Sequence, residues 1–484
     1  METFYLVLVI VLFALAISDL IVGVSNDAVN FLNSAIGAKA APFKIIMIVA
    51  ALGVLVGATF SSGLMEVARK GIFHPGQFYF SEIMIIFLAV MITDVILLDT
   101  FNTFGLPTST TVSIVFELLG GAVAISLIKI YGSMDTLSDM GKYINSSNAL
   151  MIIFGILLSV AVAFTVGAVV QYLARLMFTF NYKKNLKYFG SLWGGIALTA
   201  ITYFMIIKGA KGASFMNDDV KNFIEVNQWT IVAFSFVFWT ILFQVLSMIS
   251  KRINVLKIIV LVGTFALAMA FAGNDLVNFI GVPLAGYESF LAFLKSPGTD
   301  PNAMFMTALS GKIKTDTWML LVAGLIMVAT LYKSKKARSV VTTSLDLSRQ
   351  NEGSERFNST LFSRVLVRHT MNVAKGINYM IPAGVRNAIN NRFDIEKVKE
   401  SNIEQQKKDA VSFDMIRASV NLVVASILIA FGTSMKLPLS TTYVTFMVVM
   451  GTSLADGAWG RESAVYRVTG VISVIGGWFL TALS

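Results

Sequence analysis

The chain has no cysteine and only two histidines among its 484 residues, and charged side chains make up just 14% of it. Each shortage excludes something. Without cysteine there is no disulfide, no thiol nucleophile and no cysteine-ligated metal. His74 and His369 lie far apart in polar connections, which argues against a histidine metal site. A soluble protein carries about 25% charged residues, so this chain cannot cover a water-facing surface. With 56% hydrophobic residues and a mean hydropathy of +0.75, it must be solvated by lipid. There is no HExxH, no Walker A motif and no clustered acid–base pair, which argues against a membrane enzyme and an ATP-driven pump. The net charge of +10 is concentrated between apolar segments. It reads as positive-inside topology and attraction to anionic lipid, not as a nucleic-acid footprint.

What is there in quantity is apolar run. Residues 148–174 and 228–250 carry no charge, and each is long enough for a bilayer, which needs about 20 residues. The stretch 3–17 lacks the basic n-region of a signal peptide and is followed at once by polar residues. Twelve spans are predicted: 4–24, 43–65, 81–100, 107–130, 148–174, 188–208, 228–250, 256–272, 317–332, 413–433, 438–456 and 464–483. The basic connections 175–187, 251–257 and 333–412 then fall on one side, the cytoplasm, and the N-terminus lies outside. The pair Arg69–Lys70 falls on the outer side, against that rule.

Two polar motifs interrupt the apolar runs, and each occurs twice. Asn-Asp-x-Val-Asn-Phe is found at 26–31 and 274–279, and Leu-Pro-x-Ser-Thr-Thr at 106–111 and 437–442. Equivalent copies are seven predicted spans apart, an odd number, so corresponding spans cross in opposite directions. The expected fold is therefore an all-α polytopic membrane protein of about twelve transmembrane segments in two inverted-topology repeats. Re-entrant or broken helices are expected at the Pro-x-Ser-Thr-Thr motifs. The divisions are 1–175 for repeat one, 176–254 for connecting helices, 255–332 and 413–484 for the two parts of repeat two, and 333–412 for a basic cytoplasmic insertion. Within the insertion, 357–393 has the pattern of an amphipathic surface helix or of a solvated linker with short helices.

The motifs carry chemistry. Asn and Asp are poor helix-interior residues, so at the end of an apolar span they predict a helix break. A carboxylate at membrane depth needs a partner. For Asp27 and Asp275 a sodium ion, which takes oxygen ligands, or a proton would serve. Pro107 and Pro438 suit the first turn of a helix. The Ser and Thr residues that follow place hydroxyls and free backbone N–H groups at a helix N-terminus, which binds anions. Two such termini could cradle a tetrahedral oxyanion. An anion beside an aspartate is repelled by about 4 kcal/mol at about 4 Å and an effective dielectric of about 20. Cations bound between them reverse the sign, and that dependence is the thermodynamic basis of symport. Two accessory acids complete the set. Glu66 precedes Arg69-Lys70-Gly71, and Glu117 lies in span 107–130, where the second copy has Val448.

These residues resemble the inorganic phosphate transporter (PiT) family of cation-coupled symporters. The resemblance rests on Asn26-Asp27 with Asn30, Asn274-Asp275 with Asn278, both Pro-x-Ser-Thr-Thr sites and the stretch 66–71, and it covers both repeats. It implies phosphate uptake driven by sodium or protons, with no cofactor, through a multi-pass protein of the cell membrane. Carried over, Asp27 and Asp275 would hold the cation with Asn26 and Asn274. Asn26, Asn30, Asn274 and Asn278 would share the phosphate, and Ser109, Thr110, Thr111, Ser440, Thr441 and Thr442 would donate to it. A homodimer is compatible with this reading. The chain departs from the family pattern at Phe31, Phe279, Phe116, Val112 and Tyr443, the last two standing where a histidine is often found. Sulfate, a similarly shaped anion, is therefore carried as an alternative substrate, and an uncoupled anion channel as an alternative mode.

Overall fold

The computed structural model describes residues 2–59, 71–132, 136–203, 205, 217–249, 254–310, 316–350, 355–394, 411–434, 439–459 and 463–484. The principal helices are α1 (Glu2–Asp27), α2 (Val29–Gly37), α3 (Phe43–Thr59), α4 (Phe80–Phe104), α5 (Thr110–Gly132), α6 (Ser146–Phe178), α7 (Tyr182–Thr202), α8 (Gln228–Ile249), α9 (Val255–Leu294), α10 (Thr317–Lys333), α11 (Lys335–Ser348), α12 (Leu361–Met380), α13 (Met415–Ser434), α14 (Thr441–Ala455) and α15 (Ser463–Leu483). Among the described residues, β structure is limited to two isolated bridges.

Among the described residues, eight helical stretches are long and apolar enough to cross a membrane, or nine if α10 and α11, bent by 69°, count as one. Within the predicted spans 43–65 and 438–456 the described residues form the apolar helices α3 and α14, and the rest of each span lies outside the described residues or in the ends of those helices. Each helix is close-packed on a longer helix through small residues. A Cβ on Gly451 of α14 would overlap the carbonyl oxygen of Phe164 on α6, and one on Gly57 of α3 would overlap the backbone of Met269 on α9. Small residues at such crossings let membrane helices touch backbone to backbone.

The predicted break at the Asn-Asp motifs is corrected by the structure. The hydrogen bonds from Ala28 N to Val24 O and from Leu32 N to Ala28 O carry α1 into α2 without a gap. The 40-residue helix α9 runs straight through Asn274 and Asp275. Asparagine and aspartate disrupt a helix when their side chains turn back onto its backbone. Here the side chains of Asn26, Asp27 and Asp275 are engaged by groups outside their own helices, so the backbone keeps its own bonds.

Helix α9 is the axis that positions everything else. At its C-terminal end Phe293 stacks on Phe80 of α4, centroids 4.7 Å apart, and Phe80 meets Tyr5 of α1 at 4.6 Å. At its N-terminal end Asn254 contacts Met415, the first residue of α13, at 3.5 Å. Helices α4 and α5 form a hairpin whose open end is joined by Lys129 and Glu82 at 2.9 Å. Helices α13 and α14 form a second, joined near its open end by Arg417 and Asp456 at 2.9 Å. The two hairpins thus enter from opposite ends of α9, and their tips meet near its midpoint.

Asp456 is also the hub of a buried charge cluster. It accepts from Arg175 at 2.6 and 2.9 Å, from Gln171 at 2.7 Å and from Arg417. Arg175 continues to Asp414 at 2.7 Å. The cluster ties α6 to both arms of the second hairpin. The sequence treated Arg175 as a topological charge, whereas here it is fully buried.

The segment 333–412 is not wholly a water-soluble insertion. Its first helix, α11, buries Val340, Thr343, Ser344 and Leu347. Its Thr343 hydroxyl donates to Gly105 O at 2.6 Å, at the tip of the first hairpin. By contrast α12 carries exposed Leu361, Phe362, Val365, Tyr379 and Met380. Asp456→Asn removes the charge that balances two buried arginines. Breaking a buried pair costs about 3–5 kcal/mol, so the purified variant should melt at a clearly lower temperature than wild type. Unchanged melting would show that the cluster does not hold the second hairpin.

Candidate functional site

The two duplicated motifs converge at the midpoint of α9. Asp27 and Asp275 are 0% and 1% exposed, and among the described residues neither is paired with a basic side chain. Their partners are hydroxyls from the two hairpin tips. Thr110 Oγ1 donates to Asp27 Oδ2 at 2.9 Å, and Thr442 Oγ1 to Asp27 Oδ1 at 2.6 Å. Asp275 is held in the same way, by Thr441 at Oδ2 (2.7 Å) and by Thr111 at Oδ1 (2.9 Å). Each carboxylate therefore takes one hydroxyl from the tip in its own half of the sequence and one from the other half.

Asn30 and Asn278 extend the pattern from one turn further along. Asn30 Nδ2 donates to Thr442 Oγ1 at 2.9 Å and reaches Asp27 Oδ1 at 3.4 Å. Asn278 Nδ2 donates to Thr111 Oγ1 at 3.0 Å and to Asp275 Oδ1 at 3.1 Å. The match ends at Thr445, whose hydroxyl donates to Asn30 Oδ1 at 3.0 Å. Its counterpart in the first tip is Ile114, which cannot do so. A water-sized cavity adjoins this point, lined by Asn30, Asn33, Ser344, Asn421 and Thr445 among others.

Not every predicted site residue joins this cluster. Ser109 and Ser440 are helix caps, accepting from Val112 N at 3.2 Å and Tyr443 N at 3.0 Å. Their helices start at Thr110 and Thr441, so Pro107 is not in the first helical turn as expected. It lies upstream of the cap, where its carbonyl accepts Trp478 Nε1–H at 3.1 Å. Pro438 lies outside the described residues. Asn26 holds the first tip to α1: its Nδ2 donates to Leu106 O at 3.1 Å and to Asn102 Oδ1 at 3.0 Å, and its Oδ1 accepts Thr108 N–H at 2.8 Å. Asn274 sits on α9, partly buried. Glu66 lies outside the described residues. Glu117 is buried on α5, where it accepts from Ser113 at 2.7 Å. It is two turns from Thr110, or about 10 Å along the helix.

Sequence reasoning missed Asn102, Thr445 and Trp478. Asn102 had a signal, a lone amide five residues before Pro107 on an apolar span. Trp478 had none, because its role depends on α15 packing beside the tip. There its ring stacks on Tyr443 with centroids 3.8 Å apart, at the position where the family pattern often has histidine.

The cluster offers two carboxylates, four threonine hydroxyls and two amides in a buried volume. Carboxylate, hydroxyl and amide oxygens suit a hard cation. A threonine hydroxyl is a rotor, so one that donates to a carboxylate can turn to donate to an anion. Apolar helices of membrane-crossing length, packed around such a buried polar centre, make this an integral membrane protein. The comparisons give the family. Residues 23–334, more than half of the chain, match the phosphate transporter family, and the chain belongs to it.

Two archaeal proteins named "Putative phosphate permease" are similar to this chain. The one from Pyrococcus furiosus is 26% identical over 295 residues, 59% of this chain and 67% of its own length. The one from Thermococcus kodakarensis is 26% identical over 279 residues, 54% of this chain and 62% of its own. The matched region thus spans about two thirds of these relatives or slightly less. A solved structure described as "The sodium-dependent phosphate transporter" shares the fold, with a TM-score of 0.62, 16% identity and coverage of 98% of this chain and 97% of that one.

The hydroxyl–carboxylate bonds are testable as stabilising contacts. Thr441→Val leaves Asp275 Oδ2 without its donor, at a cost of about 1–3 kcal/mol, while Thr441→Ser keeps the hydroxyl. Melting of the purified protein should fall for valine and recover largely for serine. Equal melting of both variants with wild type would remove the bond from the energetics.

Proposed function

We propose that this chain imports inorganic phosphate across the cell membrane as a cation-coupled symporter, with sodium favoured over the proton. The observation that carries this reading is the crossed pairing of Asp27 and Asp275 with threonines of both tips. The same four hydroxyls serve two buried negative charges. When a cation occupies the carboxylate oxygens, the hydroxyls are released to the oxyanion, and the cation's charge offsets the repulsion between anion and aspartates. Binding of either ligand then favours the other, which is a coupling free energy of reciprocal form. In this assignment Asp27 and Asp275 hold sodium with Asn30 and Asn278. Thr110, Thr111, Thr441 and Thr442, together with the N-terminal amides of α5 and α14 that Ser109 and Ser440 order, receive phosphate. Asn26 positions the first tip and Asn274 is its counterpart.

The topology proposed is two inverted repeats of about twelve transmembrane segments in all, of which the four arms of the α4–α5 and α13–α14 hairpins are re-entrant. The entry of the hairpins from opposite ends of α9 supports it. Alternating access would be rocking of one repeat against the other about this centre. The basic segment after α10 then faces the cytoplasm and the start of α1 faces outside. The name of the structural relative, which specifies sodium dependence, is in keeping with sodium as the coupling ion.

The test is uptake of labelled phosphate into proteoliposomes under an imposed sodium or proton gradient, with sulfate as competitor. Uptake should follow the sodium gradient and resist sulfate. Asp27→Asn and Asp275→Asn should each reduce gradient-driven uptake at least about tenfold, the equivalent of losing about 1.4 kcal/mol. Uptake indifferent to both gradients would overturn the symport reading, and sulfate displacing phosphate at equal concentration would make the chain a sulfate permease.

A further inference from the structure

Two acids that the sequence reading passed over, Asp19 of α1 and Asp94 of α4, are both 0% exposed. The register that sets Phe80 of α4 beside Tyr5 of α1, and Asn102 beside Asn26, puts Asp94 level with Asp19 on the adjoining helix. Among the described residues no donor stands in bonding geometry to any of their four carboxylate oxygens, and the Ser113 hydroxyl, which comes near Asp94, is donated to Glu117. The third acid is Glu117 of α5. The register that pairs Glu82 with Lys129 at the open end of the α4–α5 hairpin brings Glu117 level with Asp94. Glu117 uses Oε1 to accept from Ser113 at 2.7 Å, and its Oε2 also has no partner among the described residues.

Other titratable groups do not neutralise the trio. The neighbouring charges on the same elements, Asp27 of α1 and Glu117 of α5, are themselves acidic. Of the bases on the packed elements, Lys336 of α11 pairs with Asp99 at 2.6 Å, Lys129 of α5 pairs with Glu82, and Lys333 of α10 lies with Lys336 on a cavity beside Ile21, Val22 and Ser25; none is bonded to Asp19 or Asp94. Helix α9 brings no base to this level; its charged residues nearest in register are Asp275, part of the central site, and Glu288. Two apposed buried carboxylates cannot both be ionised without something positive between them.

The second half of the chain shows what this place would be without that demand. Carrying the offsets 26 to 274 and 107 to 438 along the helices, Asp19, Asp94, Ser113 and Glu117 correspond to Leu267, Ala425, Val444 and Val448. All four are apolar and buried. The fold is therefore satisfied by hydrocarbon there, and the acids of the first half are not needed for packing. Replacing buried ionic groups by well-packed apolar ones is commonly neutral or stabilising, so their presence calls for a ligand.

A hard metal ion takes about six or more oxygen ligands. Here the surrounding backbone carbonyls belong to the helical ladders of α1, α4 and α5, the one nearby hydroxyl donates its hydrogen to Glu117, and no three carboxylates among the described residues are placed to hold a metal. A proton needs only two oxygens. We propose that Asp19, Asp94 and Glu117 form a proton-binding site, with one proton shared within the Asp19–Asp94 pair. It lies eight residues from Asp27, about 12 Å along α1, between the central site and the end where α1 begins. Protonation there removes a negative charge that repels any anion approaching the centre. The effect on transport rests on the phosphate reading; the site itself does not.

The experiment is infrared spectroscopy of the purified full chain in lipid nanodiscs at neutral pH. The difference spectrum between wild type and Asp94→Asn should show a protonated-carboxyl C=O band, lost in the variant and shifted in D2O. Asp19→Asn should lose the same band, and Asp19→Leu, which installs the residue of the second half, should melt no lower than wild type. Absence of the band in the wild type, its survival in both asparagine variants, or its removal by added sodium alone would overturn the proposal, the last by making the site a cation site. In the uptake assay, Asp94→Asn should flatten the dependence of phosphate influx on outside pH, and an unaltered pH profile would deny the site a role in transport. A wild type that moved no phosphate would count against the transport reading while leaving the spectroscopic result standing.

Discussion

The centre of this protein depends on one kind of bond, from a threonine hydroxyl to an aspartate that has no cation of the protein's own to lean on. Asp27 and Asp275 could have been neutralised by arginine, as Asp456 is a few turns away. They are instead solvated by neutral donors. A hydroxyl compensates part of a buried charge, where a guanidinium would fix it permanently. The charge is left available, and the donors that soften it can turn elsewhere. The geometry around the site follows from that requirement. Two long helices bring the acids to one level, two hairpins bring hydroxyls from opposite ends, and Ser109 and Ser440 hold the hairpin tips in helical register so that consecutive threonines reach two different acids.

The permanent charges are kept at the periphery. Arg175, Arg417 and Asp456 are buried but mutually satisfied, and they lie where α14 ends, remote from the tips. Their role is to fix the roots of the second hairpin. The first hairpin is rooted differently, by the single pair Lys129–Glu82 and by the aromatic stack of Phe80 on Phe293. The two halves share the centre almost bond for bond, yet they are anchored by unlike chemistry, one ionic and one largely aromatic.

Much of this was legible in the sequence. The duplicated motifs announced the acids, the threonines and the meeting of two halves, because those residue types at membrane depth have few other uses. Three things were not legible. The helix break expected at Asn-Asp did not occur, since propensity describes a side chain competing for its own backbone and these side chains had outside partners. The position of Pro107 was misjudged by two or three residues because the serine after it, not the proline, is the cap. Residues 335–348 looked like part of a polar insertion, yet α11 packs against the first tip. Its buried face of small and hydroxylated residues is too weakly hydrophobic to stand out beside the spans. Asp19 and Asp94 were overlooked for the opposite reason: single acids in strongly apolar runs are diluted by their neighbours.

One detail bears on how the molecule can deform. Asn26 and Asp27 are adjacent, but they face different tasks. Asn26 bonds only within the first half, fastening α1 to α4 and to the turn that follows it. Asp27 reaches across to Thr442. If the halves slide past one another, the contacts made by Asn26 travel with them unchanged, and among the bonds that must part are those joining Asp27 to Thr442, Asp275 to Thr111 and the two asparagine amides to the same threonines. A seam between bodies moving in this way would run in part through the groups proposed to bind the ligands, and a ligand that replaces those bonds would alter the friction of the movement as well as its end points.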